Sequence, residues 1–151
     1  MVPNQVERDI LIEAPIDVVW RVITEPDYIK HWLSDDAELD LTVGGQGRLT
    51  FKTGSSFRIQ VEIVEVPHRL AFRWLHPDGE RAVPENSTLV ELTLATEDGK
   101  TRLRVVESGF ATIGWSDERK EREVQEHSNG WQSCLDRVEE FAPQARSAGQ
   151  G

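Results

Sequence analysis

From residue 37 to residue 107 apolar side chains recur at about every second position, and a single long stretch of helical period follows them. That combination constrains the fold most. Antiparallel strands with one apolar face need a partner layer, and one amphipathic helix cannot cover a flat sheet of seven strands. The sheet is therefore expected to curl around the helix. Phe57, Ile59, Val61 and Ile63 alternate with Arg58, Gln60 and Glu62 as a half-buried strand does. Leu70, Phe72 and Trp74 repeat the pattern. Val90, Leu92 and Leu94 pair with Leu103 and Val105 across Glu97-Asp98-Gly99-Lys100, where Asp-Gly supplies the positive φ of a tight hairpin. Strands over 37–43 and 47–52 flank a glycine-rich turn at Gly44, Gly45 and Gly47.

Ahead of this meander, Val6, Ile10 and Ile12 mark a first strand over Gln5 to Glu13, with its phase imperfect at Arg8. Pro15 ends it and takes the first position of a short helix that carries Ile16, Val19, Trp20 and Ile23 on one face. Thr24, Glu25 and Pro26 break that helix, and a second short one carries Ile29, Trp32 and Leu33. The last helix starts at Ser116 or Asp117, either of which can cap it. Its inner stripe runs through Val124, His127, Trp131, Leu135, Val138 and Phe141, with Ser128 and Cys134 beside them, and Pro143 is expected to end it. The chain reads as one α+β domain over residues 1–142 with a disordered tail over 143–151. Gly130 sits inside the helix directly before Trp131, where it costs about 1 kcal/mol relative to alanine. It either lets the helix approach the sheet or leaves room at the helix flank, and close approach is the simpler expectation.

Charge and cysteine usage exclude several classes. A net charge of −10 repels phosphate backbones and anionic lipid surfaces, and no basic cluster reverses this locally. Neither nucleic acid nor a membrane is an expected partner. Cys134 is the sole cysteine, so no intrachain disulfide can form, and a reducing compartment fits. No apolar run approaches the roughly 20 residues that cross a bilayer, and the N-terminus lacks the pattern of a secretory signal. A soluble, cytoplasmic protein is expected. Gly44-Gly45-Gln46-Gly47 precedes a strand rather than a helix and so offers no helix N-terminus to a phosphate. His31, His68, His76 and His127 show no zinc spacing with the lone cysteine, and no serine has the context of a hydrolase nucleophile. No metal or other cofactor is expected.

In this order, the motifs IEAPIDVVWRVITEPDYIKHWL, VGGQGRLTF, RLAFRWLHP, TRLRVVESGF and GWQSCLDRVEEF resemble the START-like SRPBCC superfamily. Within it they are most similar to the domain related to the C-terminal part of the activator of the 90-kDa heat-shock protein ATPase. The resemblance spans residues 6–142 and does not extend to the further N-terminal domain that the activator carries. It implies a helix-grip: a curved antiparallel sheet of about seven strands around a long C-terminal helix, two short helices after the first strand, and a cavity between sheet and helix. The superfamily includes lipid and hormone carriers, polyketide aromatases and cyclases, and co-chaperone domains, so fold alone leaves function open.

In a helix-grip, Trp20, Phe57, Phe72, Trp74, Trp131 and Leu135 point inward and form large rigid walls suited to planar apolar ligands; the simpler alternative is that they fill the core. The inward phase continues from Trp74 to His76, from Val105 to Glu107 and back from Val90 to Thr88. His76 and Glu107 then reach one rim about 10 Å apart, with Thr88 on the strand between, and His127 is expected to face the same space from the helix. A histidine and a carboxylate there can orient a ligand hydroxyl or carbonyl, or serve as acid and base. His76 also precedes the turn Pro77-Asp78-Gly79, and Glu107 precedes Ser108 and Gly109, so both also fit purely structural roles. The leading expectation is a binding protein for a lipid, polyketide or flavonoid-like molecule. The alternatives are a polyketide cyclase or aromatase-like enzyme, with His76 and Glu107 as catalytic candidates, and a stress-related co-chaperone domain that binds a 90-kDa heat-shock protein.

Overall fold

A computed structural model describes residues 4–75, 83 and 86–150, with side chains as far as Ala145. In chain order the elements are β1 (Gln5–Ile12), α1 (Ile16–Thr24), α2 (Pro26–Ile29), β2 (Asp36–Leu39), β3 (Gln46–Thr50), β4 (Ser56–Glu65), β5 (Arg69–Leu75), β6 (Ser87–Glu97), β7 (Lys100–Ser108) and α3 (Asp117–Gln150). The seven strands make one antiparallel sheet in the order β1-β7-β6-β5-β4-β3-β2. With α3 packed against β1 and α1, this is the helix-grip α+β architecture expected from the sequence. All strand neighbours except β1 and β7 follow one another in the chain, so the meander closes by bringing the first strand beside the last.

Local chemistry sets the details. Asp98 at φ 52° and Gly99 at φ 78° form the hairpin between β6 and β7, as the Asp-Gly pair requires. The β2–β3 turn is longer than expected because β2 stops at Leu39: Gly44 adopts φ 83°, and a Cβ at Gly45 would collide with the backbone oxygen of Asp40. Gly44 N–H donates to the Val61 carbonyl and Val61 N–H to the Gly45 carbonyl, both at 2.8 Å, which ties that turn to β4. Within β4 a bulge between Val61 and Ile63 shifts the register. Val61 faces Phe72, but beyond the bulge it is Val64 that faces Leu70, so the core alternation read through Ile63 ends at Val61.

Three other expectations give way to tertiary structure. Arg8 keeps the inward phase between Val6 and Ile10, and its Nη2 donates to Ser128 Oγ on α3 at 2.8 Å, so the apparent break in β1 is a cross-link between the first and last elements. Pro15 stands at the N-cap of α1 rather than in its first turn. The last helix does not stop at Pro143 but continues to Gln150. Ala142 and Ala145, on either side of the proline, are buried in the core, and this packing carries the helix past a residue that costs about 3 kcal/mol in a helix interior. Nearby, Gln144 Nε2 donates to the Glu140 carbonyl at 3.2 Å.

Ile12, Val19, Val61, Leu103, Leu135 and Val138 are among the core side chains sealed from solvent, each contributing about 1.5–3 kcal/mol by burial. No helix among the described residues is long and apolar enough to cross a membrane.

Candidate functional site

Under the first half of α3 the core gives way to a cavity of about 340 Å³. Phe57 of β4, Trp74 of β5 and Trp131 of α3 form its inner walls. Leu33, Phe51 and Trp115, from the segments after α2, β3 and β7, form its outer ones. The rings lock together: Phe51 meets Phe57 edge-on at 5.9 Å, Phe57 lies 5.7 Å from Trp74, and Trp74 meets Trp131 at 6.4 Å and 83°. Cys134 and Gly130 complete the α3 side, and Arg119 and Glu126, both exposed, stand at the solvent end. Gly130 is itself exposed, and a Cβ added there would meet nothing within 4 Å. The glycine therefore leaves room at the cavity rather than letting the helix close on the sheet, contrary to the simpler expectation.

A fully buried carboxylate organises the inner end. Glu107 points inward from β7, opposite Val90 of β6, and accepts three hydrogen bonds. Thr88 Oγ1 donates to its Oε2 at 2.6 Å, while Trp131 Nε1 at 2.9 Å and His127 Nδ1 at 2.7 Å share Oε1. The other imidazole nitrogen, Nε2, lies 3.2 Å from Glu123 Oε2, one helical turn before His127. Phe110 packs edge-on against the imidazole at 5.3 Å.

Burial opposes charge on both partners, but pairing outweighs it. For His127, desolvation pushes the pKa down, yet the hydrogen bonds and charges of Glu107 and Glu123 hold it above its ordinary value. For Glu107, desolvation pushes the pKa up, yet the hydrogen bond and charge of His127, with the Thr88 and Trp131 donors, hold it below its ordinary value. When protonated, His127 can donate from Nδ1 to Glu107 and from Nε2 to Glu123, and both carboxylates favour that form. Cys134 behaves differently: burial pushes its thiol up to about 11 despite Arg137 nearby, which leaves it an apolar wall rather than a nucleophile.

The structure thus brings together Phe57, Trp74, Glu107, His127 and Trp131 around one space, with Thr88 bonded behind Glu107. Trp20, Phe72 and Leu135 lie in the core and do not line the cavity. His76 falls outside the described residues. Sequence reasoning missed Leu33, Phe51, Trp115, Arg119, Glu123 and Glu126. Leu33 and Phe51 lie just beyond the ends of α2 and β3 and Trp115 in the segment before α3, while the other three lie on the polar flank of α3.

This arrangement sits on a chain whose likeness to known proteins is extensive. The sequence model described as Activator of Hsp90 ATPase homolog 1-like protein (AHSA1) matches residues 13–142. The chain belongs to the AHSA1 family. No curated protein matches it in sequence. Among solved structures, this AHSA1-family chain is similar to protein MLL2253 from Mesorhizobium loti, at TM-score 0.79 and 23% identity over 93% of this chain and 98% of that one. It is also similar to DynU16, a protein of the dynemicin biosynthetic locus, at TM-score 0.75 and 26% identity over 92% of this chain but 47% of DynU16, about half that protein's length. The Aha1 dimer from Colwellia psychrerythraea superposes at TM-score 0.69 with 17% identity over 91% of this chain and 97% of that one. These likenesses place the AHSA1-family chain in the START-like fold.

Proposed function

We propose that this AHSA1-family domain binds a small, largely apolar aromatic molecule, of the polyketide or flavonoid type, in the cavity beneath α3. The observation that carries this reading is a cavity of about 340 Å³ walled by five aromatic side chains and closed at one end by a satisfied buried carboxylate. That volume lies at the small end of the usual range for ligand pockets. A stacked planar ligand suits rigid indole and phenyl walls that lose little entropy on binding. Glu107 spends its acceptors on Thr88, His127 and Trp131, so its role in this reading is to fix the Trp131 and His127 rings rather than to contact the ligand.

The test is titration with neutral flavonoids and aromatic polyketides, followed by tryptophan fluorescence and indole NMR. Saturable shifts of the Trp115 and Trp131 indoles are expected. They should weaken by about tenfold or more in Gly130→Leu, whose side chain enters open space beside the cavity. No saturable shift, or equal binding by a folded Gly130→Leu protein, overturns the reading.

A cyclase-type reaction is a second reading. One observation favours it: His127 and Glu107 form an acid–base pair 2.7 Å apart on the cavity wall. It requires that His127→Gln abolish turnover of a poly-β-ketone thioester while the protein still binds aromatic ligands. The co-chaperone reading rests on the family's name and is tested by whether the domain binds a 90-kDa heat-shock protein.

A further inference from the structure

The cavity's ionisable lining is unbalanced in sign. Glu107, Glu123 and Glu126 face it, against Arg119 and the imidazole of His127. Glu107 is matched by His127 at 2.7 Å, and Glu123 lies between His127 Nε2 at 3.2 Å and Arg119 Nε at 3.6 Å. Glu126, exposed at the solvent end, is ion-paired to no cation among the described residues. The field at the mouth is therefore negative, and the chain as a whole carries −10.

Arg119 shows where a positive charge fits. Its guanidinium carbon lies 4.3 Å from the centroid of the Trp115 ring, over the electron-rich face, with Glu123 beside it. The chain's own cation thus sits on an aromatic wall of the cavity, flanked by a carboxylate. Arg119 and Glu123 are both partly open to solvent, and an ion pair of that kind is weak and readily exchanged. On leaving, the guanidinium can hydrate, and the aromatic face and the carboxylate pass to a replacement.

We propose that the cavity selects planar aromatic molecules bearing a cationic nitrogen, a protonated amine or a guanidinium, and that this group displaces Arg119 from Trp115 and Glu123. The inference rests on reading the cavity as a ligand site and adds to it the charge and orientation of the ligand: ring system inward, cation at the mouth.

Three isosteres separate the two claims in calorimetric titration of the full chain at neutral pH: naphthylmethylamine, naphthylmethanol and naphthoate. The alcohol reports the cavity alone; the other two report its charge preference. The amine is expected to bind about tenfold tighter than the carboxylate, with the alcohol between them. Glu126→Gln and Glu123→Gln should each narrow that ratio, and added salt should narrow it further. Arg119→Ala, which removes the internal competitor, should tighten the amine relative to the alcohol. If the carboxylate binds as tightly as the amine, or Arg119→Ala weakens the amine, the charge assignment is wrong while binding of the alcohol keeps the cavity reading. If none of the three binds, both readings fall.

Discussion

The two halves of α3 have one period and different backing. None of residues 117–130 is fully buried; the innermost of them, Val124, His127 and Ser128, keep part of their surface in contact with solvent. From Trp131 onward the same stripe is shut: Trp131, Cys134, Leu135, Val138, Ala142 and Ala145 are all buried. The first half is held by directional bonds, from His127 to Glu107 and from Arg8 to Ser128, and is capped where Ser116 Oγ accepts the Arg119 N–H at 3.2 Å. The second half is held chiefly by packing, supplemented by Trp131 on Glu107 and by Arg137 Nη1 donating to the Trp32 carbonyl at 2.9 Å. A helix fastened by polar tethers need not touch what lies beneath it, and the cavity exists under the tethered half.

Substitutions can break this contrast or sharpen it. The largest effect is expected in the packed half: Leu135→Ala should cost about 3 kcal/mol in urea denaturation, whereas Val124→Ala in the tethered half should cost less than about 1 kcal/mol. Similar costs would mean that both halves are packed alike. Next comes the tether. Glu107→Gln keeps the shape but removes the charge opposite His127, and a loss of about 2 kcal/mol is expected, with the Trp131 indole resonance displaced.

A smaller effect follows the proton. Because the folded pKa of His127 is raised, its contribution is complete below the ordinary value of 6.5 and is lost as pH rises through the folded value. Glu107 has a depressed folded pKa, so its contribution is present above the ordinary 4.5 and is lost as pH falls through the folded value. Stability from the pair should thus be greatest between pH 4.5 and 6.5 and decline on the alkaline side, and His127→Gln should flatten that decline in thermal melts. A wild-type profile with no alkaline decline would remove the imidazolium from the site. The smallest change is a gain: Gly130→Ala should stabilise the helix by between about 0.5 and 1 kcal/mol, since its Cβ meets nothing within 4 Å.

Much of the fold was legible because it depends on local signals. The strand period, the Asp98-Gly99 turn and the amphipathic stripe of α3 each act within a few residues, and together they leave little freedom of architecture. What stayed hidden depends on distant partners. Arg8 breaks the apolar period of β1 because its partner, Ser128, lies in the last helix. Pro143 stops a helix in isolation but not one whose flanking alanines are buried. At the candidate site, register placed Glu107, Thr88 and His127 in one region, but the second carboxylate on His127 and the role of Gly130 depend on how far α3 stands off the sheet. The side chain of Trp115 comes from a connecting segment, to which no repeat assigns a direction.

Pairing of β1 with β7 sets a schedule for biogenesis. Gln5 lies beside Ser108 and Ile12 beside Thr101, so the earliest-made strand has no ladder partner until roughly 100 further residues have left the ribosome. At about 5–20 residues per second that wait is on the order of 5–20 s, during which Val6, Ile10 and Ile12 remain uncovered. The inner face of β1 therefore stays open to other contacts until β7 and then α3 are made.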